Sequence, residues 1–322
     1  MKANKNFKLY RYNYHNCIIH TISAMLLRAG VRVPYLWGQS GLLFDKNNSF
    51  ITPYYRQYHH HLEIYHGIKW YESKCLTSID FVQQIREILN EKTSVGVEVD
   101  IFELPYCNYF QGHHEGHAIE ILGIEDEQFL ISDHYYHFHG LIDFNTILNA
   151  IQSFDDYFPE QDAKIYHFNV QEHLNKVYSD ADLYQLVLDN YNVMNGNSIE
   201  EWRNLNEAVV GLNAIQFIKE RITSLLSSST QENREALVNN YYRIREIANS
   251  RYNFFQFLEL YFKDKAAQEY HTLSKSWSVL GNMLVRLGIN KTFDEFSPRI
   301  EKRLLKINEQ EIAATNLLKD LL

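Results

Sequence analysis

Cysteine is scarce in this 322-residue chain, which has only Cys17, Cys75 and Cys107. Their number is odd, their contexts are dissimilar and no CxxC pair occurs, so neither a disulfide framework nor a zinc ribbon is indicated and the three read as reduced thiols. Also missing is any run of about eighteen apolar residues. The opening MKANKNFKLYRYNYHNC has no apolar stretch followed by a small-residue cleavage site. Neither a membrane span nor a secretory signal is expected, and the chain reads as cytoplasmic. Basic residues are outnumbered, 31 Lys and Arg against 40 Asp and Glu, for a formal net charge of -9. Binding through phosphate contacts needs clustered Lys and Arg, so nucleic acid is disfavoured as a partner. A local group at Arg243, Arg245 and Arg251 remains able to meet an acidic protein, but reads first as a solvated helix face. No repeat of fixed period occurs, and the only biased tract is a short serine run.

What is present suits an ordinary globular protein. Hydrophobic residues make up 45% of the chain, enough for one large or two ordinary domains. The first half mixes helical and alternating periods, whereas everything after about residue 172 reads as helix. The expected division is 1–170 and 171–322, an α+β domain with an antiparallel sheet followed by an all-α domain. In CIIHTISAMLLRAG, Ile18, Ile22, Met25, Leu26 and Ala29 form one stripe that closes on Gly30, so a helix begins at or beside Cys17. A second helix is expected from Ser78 to Asn90. Val95, Val97, Val99 and Ile101 alternate with polar residues as a strand. Two more follow, roughly His117 to Ile124 and Gln128 to Ser132, and Ala163 to Val170 makes a fourth. Long helical patterns cover about Glu200 to Leu225, Glu232 to Lys263, Ala266 to Leu287 and Phe293 to Leu321.

Three residues suggest chemistry. A cysteine at a helix N-terminus meets unpaired backbone N–H groups and the positive end of the helix dipole, and both favour thiolate over thiol. The same N–H groups can stabilise an oxyanion. Cys17 is thus a candidate nucleophile, against the plainer reading of a small buried hydrophobe. A turn centred on Glu125 makes His117 and Asp133 direct cross-strand partners, close enough for the carboxylate to accept from the imidazole. A slip of one residue would put them on opposite faces. Nucleophile, base and orienter would then be Cys17, His117 and Asp133.

The histidines at 113, 114, 117, 134, 137 and 139 raise the alternative of a metal site. HHEGH is not HExxH, however, and the residues after it read as strand rather than helix, so no metal is assigned. His59, His60, His61 and His66 read as a polar, aromatic surface or cleft wall. Glu98 and Asp100 read as a solvated strand face. Tyr106, Tyr109 and Phe110 are candidates for lining a cleft.

At these residues the chain resembles the butirosin biosynthesis protein H family, papain-like acyltransferases related to bacteriocin-processing cysteine peptidases. The resemblance rests on the Cys17 helix ending at Gly30, Trp37-Gly-Gln-Ser-Gly-Leu-Leu-Phe44, VDxxxLPY at Val99 to Tyr106, HxxHAIEILGI at His114 to Ile124, and Asp133. It runs over roughly residues 12 to 170, with a helical remainder like the family's C-terminal domain. It implies a papain-like fold in which Cys17 takes an acyl group, His117 is the base and Asp133 orients it. It further implies an acyl carrier protein or peptidyl carrier domain as donor, through a phosphopantetheine thioester, and a small amine as acceptor, in natural-product pathways such as antibiotic biosynthesis. No cofactor bound to the chain itself is implied. Asn16, Gln39, Asp100, Tyr106 and His114 are expected to contact substrate. The related peptidases carry an oxyanion-hole glutamine six residues before the cysteine, where this chain has Arg11. The expected donor is therefore the Cys17 N–H, with Asn16 or Gln39 as a second. Two other readings stay open: a cysteine hydrolase with the same triad, and a non-catalytic carrier- or peptide-binding protein. The amphipathic helices after residue 200 are also able to pair with a second copy of the chain.

Overall fold

A computed structural model of the protein describes residues 8–33, 35–75, 79–92, 94–197, 207–289 and 293–322. In chain order it has α1 (Cys17–Arg28), β1 (Leu43–Asp45), β2 (Phe50–Thr52), α2 (Tyr58–His66), β3 (Lys69–Lys74) and α3 (Ile79–Glu91). Next come β4 (Val95–Asp100), β5 (Gly116–Glu125), β6 (Gln128–Asp133), β7 (Phe138–Asp143), α4 (Phe144–Tyr157) and β8 (Lys164–Asn169). The remainder is α5 (Gln171–Asn175), α6 (Asp180–Met194), β9 (Ala208–Val210), α7 (Leu212–Leu226), α8 (Gln231–Tyr261), α9 (Lys265–Ile289) and α10 (Phe293–Lys319). The class is α+β, as expected. The helix expected from Ser78 is α3, and Ser78 itself lies outside the described residues.

The chain does not divide once near residue 170. It sorts into two compact units, one of residues 1–33 and 62–176, the other of residues 34–61 and 177–322. The excursion 34–61 is tied to the C-terminal part by polar bonds that its own sequence does not reveal. The Asn190 side chain accepts from the Ser40 amide at 2.6 Å and donates to the Gly38 carbonyl at 2.9 Å. Arg251 donates to the Gly41 carbonyl at 2.7 Å. This second unit is mainly helical and also carries a small sheet in which β1 pairs antiparallel with both β2 and β9. β9 falls inside the stretch read as one helix from Glu200, of which residues 200–206 lie outside the described residues. The helix begins only at Leu212, behind Gly211 at φ 70°, where a Cβ would sit 2.3 Å from the Met194 carbonyl oxygen. Only glycine fits such a backbone.

In the first unit six strands form one antiparallel sheet in the order β3-β8-β4-β5-β6-β7. Side chains alternate across it. Val95, Val97 and Val99 of β4 pair with Ile121, Ile119 and His117 of β5. The apolar members of this face pack with Phe81 and Ile85 of α3 and with Ile147, Ile151 and Phe154 of α4. By alternation Gly96, Ala118 and Glu120 belong to the other face, and there α1 is tied down. Thr21 donates to the Ala118 carbonyl at 2.9 Å, and Arg28 forms a two-pronged pair with Glu120 at 3.1 and 3.0 Å.

Gly96 has a steric role on this face. Its β8 partner is Tyr166, and a Cβ at position 96 would lie 2.1 Å from that ring. Gly96→Ala is therefore expected to destabilise the protein by about 1–3 kcal/mol through overpacking. A urea transition moved to lower concentration with unchanged slope checks this; an unmoved midpoint contradicts it.

Two surface readings are corrected by burial. Arg251 is wholly buried, so Arg243, Arg245 and Arg251 are not one solvated face. In α2, His61 and His66 are buried, not part of a surface or cleft wall. His61 Nε2 donates to the Leu36 carbonyl at 2.7 Å, and burial lowers its pKa to about 4. No helix among the described residues is long and apolar enough to cross a membrane.

Candidate active site

Helix α1 opens at Cys17 because Asn16 caps it. The Asn16 side-chain oxygen accepts from the Ile19 amide at 2.8 Å, and its carbonyl accepts from the His20 amide at 2.9 Å. The amides of Cys17 and Ile18 are thus left at the helix mouth beside the half-buried Cys17 sulfur. Thr21 anchors α1 to Ala118. One helical turn back from Thr21 is Cys17, and one residue back along β5 from Ala118 is His117. This shared anchor brings the two together, and Cys17 is near enough to the His117 ring to help raise its pKa.

His117 Nε2 is 2.7 Å from Asp133 Oδ2. Since Nε2 is turned to the carboxylate, Nδ1 is the nitrogen left for sulfur. Asp133 is fully engaged: Oδ2 also accepts from the Tyr106 hydroxyl at 3.1 Å, and Oδ1 accepts from the amides of Tyr135 and Tyr136 at 3.0 and 2.9 Å. The amide two residues on is a local turn that aspartate favours, so Ser132-Asp133-His134-Tyr135 carried a readable signal for this arrangement. Burial alone would raise the Asp133 pKa, but the His117 charge, its hydrogen bond and the other donors outweigh that and hold the carboxyl below its usual value. Burial alone would lower His117. The Asp133 charge and hydrogen bond, with Cys17, overcome it and hold the ring well above the ordinary histidine value.

Linkage fixes the sign of the pH dependence. His117, raised on folding, contributes stability fully present below about pH 6.5 and lost as pH rises through its folded value. Asp133, lowered, contributes stability present above about pH 4 and lost as pH falls through its folded value. Asp133→Asn should therefore destabilise most between about pH 4 and 6.5, with the deficit shrinking at higher pH. It should also leave burial less opposed at His117. Histidine NMR titration is expected to show the His117 pKa falling in the variant; an unchanged value contradicts the assigned cause.

The pairing of His117 with Asp133 is not the direct one expected. The strands pair as Glu125↔Gln128 through Gly123↔Leu130, which centres the turn on Asp126 and Glu127, and a bulge then shifts the register to Ile121↔Ile131 and Glu120↔Ser132. Continued one step, Asp133 lies opposite Ile119, and His117 is its diagonal neighbour on the same face. Without the bulge Asp133 would lie opposite Glu120, and His117 would point to the other face. Leu122 is the extra residue that turns the histidine back toward the carboxylate.

A second buried cluster holds this corner together. Glu120, wholly buried, accepts from Arg28 and, at 2.8 Å, from His134 Nε2, while His134 Nδ1 accepts from the Tyr10 amide at 3.1 Å. Burial would raise the Glu120 pKa, but the His134 and Arg28 contacts lower it on balance. Sequence reasoning weighed His134 only as a metal ligand and passed over Glu120; the signal was a glutamate inside the otherwise apolar run Ala118–Ile121.

The remaining predicted site residues are placed as follows. Tyr106 holds Asp133, and its ring stacks on Phe138 at 4.0 Å. Asn16 is the helix cap. Asp100 is buried, not on a solvated face; it accepts from His114 Nδ1 at 2.6 Å, Ser153 Oγ at 2.8 Å and the amides of Phe102 and Glu115. His114 is held there between Phe102 and Tyr157, each stacked at 4.1 Å. Both residues thus brace the loop after β4. Gln39 belongs to the second unit, and both ends of its amide are bonded to the Arg56 backbone, at 3.0 and 2.7 Å. Glu98 is the other carboxyl on β4, and burial raises its pKa to about 7. Beside His117 lie the rings of Tyr135 and Tyr136, and Tyr109, Phe110 and Tyr135 are exposed.

Residues 13–134 match the family described as Butirosin biosynthesis protein H, N-terminal. The match contains Cys17, His117 and Asp133 and ends directly after the last of them. Among curated proteins none matches the chain.

Proposed function

We propose, taking the match to butirosin biosynthesis protein H over residues 13–134 as the premise, that the chain is a cysteine acyltransferase of antibiotic biosynthesis. The observation that carries this is Cys17 at a helix mouth, beside a His117 ring that Asp133 holds at 2.7 Å. In this reading the Cys17 sulfur gives its proton to His117 and attacks the thioester carbonyl of an acyl group on the phosphopantetheine arm of a carrier protein. The oxyanion is met by the Cys17 amide and its Ile18 neighbour, in place of the peptidases' glutamine. The carrier thiolate leaves with the proton from His117. An amine then attacks the acyl-enzyme, His117 takes the amine's proton and returns it to sulfur, and the amide product departs. Exposed Tyr109, Phe110 and Tyr135 supply an apolar wall for the acyl chain or its acceptor. In this reading the reaction is cytoplasmic.

The test uses an acylated carrier protein. Intact-protein mass spectrometry is expected to detect one acyl group on Cys17, discharged faster by added amine than by buffer alone. Equal discharge by buffer would instead indicate a thioesterase or other hydrolase with the same triad, and the absence of any adduct would overturn the covalent route.

A further inference from the structure

The second unit holds a cavity of about 400 Å³ between the β1–β2 turn and helices α7 and α8. Arg221 of α7 and Arg243 of α8 line it, with Asn48, Ser49, Asn239 and Asn240. No Asp or Glu does. In a chain of formal net charge -9, such a cavity is a local reversal of sign.

Neither arginine forms an ion pair among the described residues, and Arg221 Nε is buried with no acceptor. Two guanidinium groups without a carboxylate partner in one polar wall favour an anion beside them. Arg243 lies over the Phe50 ring at 4.5 Å, which fixes the plane of its guanidinium. Its burial disfavours the charge, and Glu246 partly restores it. Glu246 is itself engaged, accepting from the Tyr54 hydroxyl at 2.9 Å. The turn is locally built for the position: the Asp45 and Asn48 side chains accept from the amides two residues on, at 3.0 and 2.8 Å, and Ser49 sits at φ 56°, a left-handed conformation rare outside glycine. Asn240 contributes less, because its amide nitrogen donates to the Ala236 carbonyl at 2.7 Å.

We infer that this cavity binds the phosphoryl group of an organic phosphate. Two guanidinium groups offer forked donors matched to phosphoryl oxygens, and asparagine amides and the Ser49 hydroxyl complete the polar shell. The volume exceeds what one phosphoryl group fills and is at the lower end of small-molecule sites, which leaves room for an organic body. The inference does not depend on Cys17 chemistry.

The test is calorimetric titration of the full chain with inorganic phosphate, 4′-phosphopantetheine, a hexose phosphate and a nucleoside monophosphate, each organic ligand paired with its phosphate-free form. At least one organic phosphate is expected to bind ten or more times tighter than inorganic phosphate. Its phosphate-free form should not bind, and Arg221→Gln and Arg243→Gln should each weaken it tenfold or more without shifting the thermal midpoint. If no organic phosphate binds more tightly than inorganic phosphate, or if both variants bind like the parent, the inference is overturned. Competition by a carrier protein bearing its phosphopantetheine arm, but not by the bare carrier, would identify the arm as the source; competition by neither identifies a free metabolite. Repeating the titration with Cys17→Ala separates this site from the acyl-transfer reading, since binding here should survive that change.

Discussion

Cys17→Ala is expected to abolish the acyl adduct and to lower turnover by about 10⁵–10⁶-fold, the loss typical when a covalent nucleophile is removed from a working triad. The residue sits at the mouth of α1 with its backbone amide in place, so the variant keeps the helix, the cap and the oxyanion donors. Ala has no hydroxyl or thiol to accept an acyl group, and its high helix propensity leaves the element intact. Stability should therefore stay close to that of the parent, separating lost chemistry from lost folding. Mass spectrometry reads the adduct, and steady-state rates read the turnover. Turnover that persists within tenfold of the parent would remove Cys17 from the mechanism, whatever the fate of the adduct.

Glu311→Gln should show the largest loss of stability. Glu311 and Arg251 are both wholly buried, and Glu311 Oε1 accepts from Arg251 Nε at 2.9 Å and from Trp277 Nε1 at 2.6 Å. Arg251 also donates to the Gly41 carbonyl, the Ser250 hydroxyl and the Met194 sulfur, none of which carries a charge. Glutamine keeps the shape and an acceptor oxygen but strands a buried guanidinium without its counter-charge. Breaking one side of such a pair costs about 3–5 kcal/mol, whereas replacing both sides by apolar groups of similar volume is often neutral. Urea denaturation of Glu311→Gln and of the double variant Arg251→Met, Glu311→Leu tests both halves. A single variant within 1 kcal/mol of the parent would show that the charge on Glu311 matters little.

Much of the site was legible because its members announce themselves locally. Cys17 follows a capping asparagine and opens an amphipathic stripe; His117 and Asp133 bracket alternating apolar residues. The face they share was also anticipated, but through a direct pairing that the strands do not make. The turn falls on Asp126 and Glu127 rather than on Glu125, and the Leu122 bulge then restores the parity that the displaced turn alone would have broken. Gly123 inside the strand was the available hint, since an interior glycine often marks a bulge. Long-range polar bonds were not legible. Nothing near Gln39 or Ser40 in the chain points to Asn190 and Arg251, so the excursion 34–61 could not be assigned to its unit from sequence. Asp100 and His114 look chemical in a sequence; the structure adds that Asp100 is buried and accepts four hydrogen bonds, one of them from His114, in bracing the loop after β4.

The excursion also sets an order of assembly. Translation delivers residues 34–61 early, yet their packing partners lie in residues 177–322. At about 5–20 residues per second the last of those partners emerges seconds to tens of seconds after Asp133. During that interval the nascent chain already has its nucleophile, base and carboxylate, while Trp37, Leu42 and Leu43, buried in the finished protein, wait for a core. Chaperone occupancy on the ribosome should therefore concentrate on this early segment, and a message cut short after residue 176 yields a fragment marked for degradation by its own unburied interior.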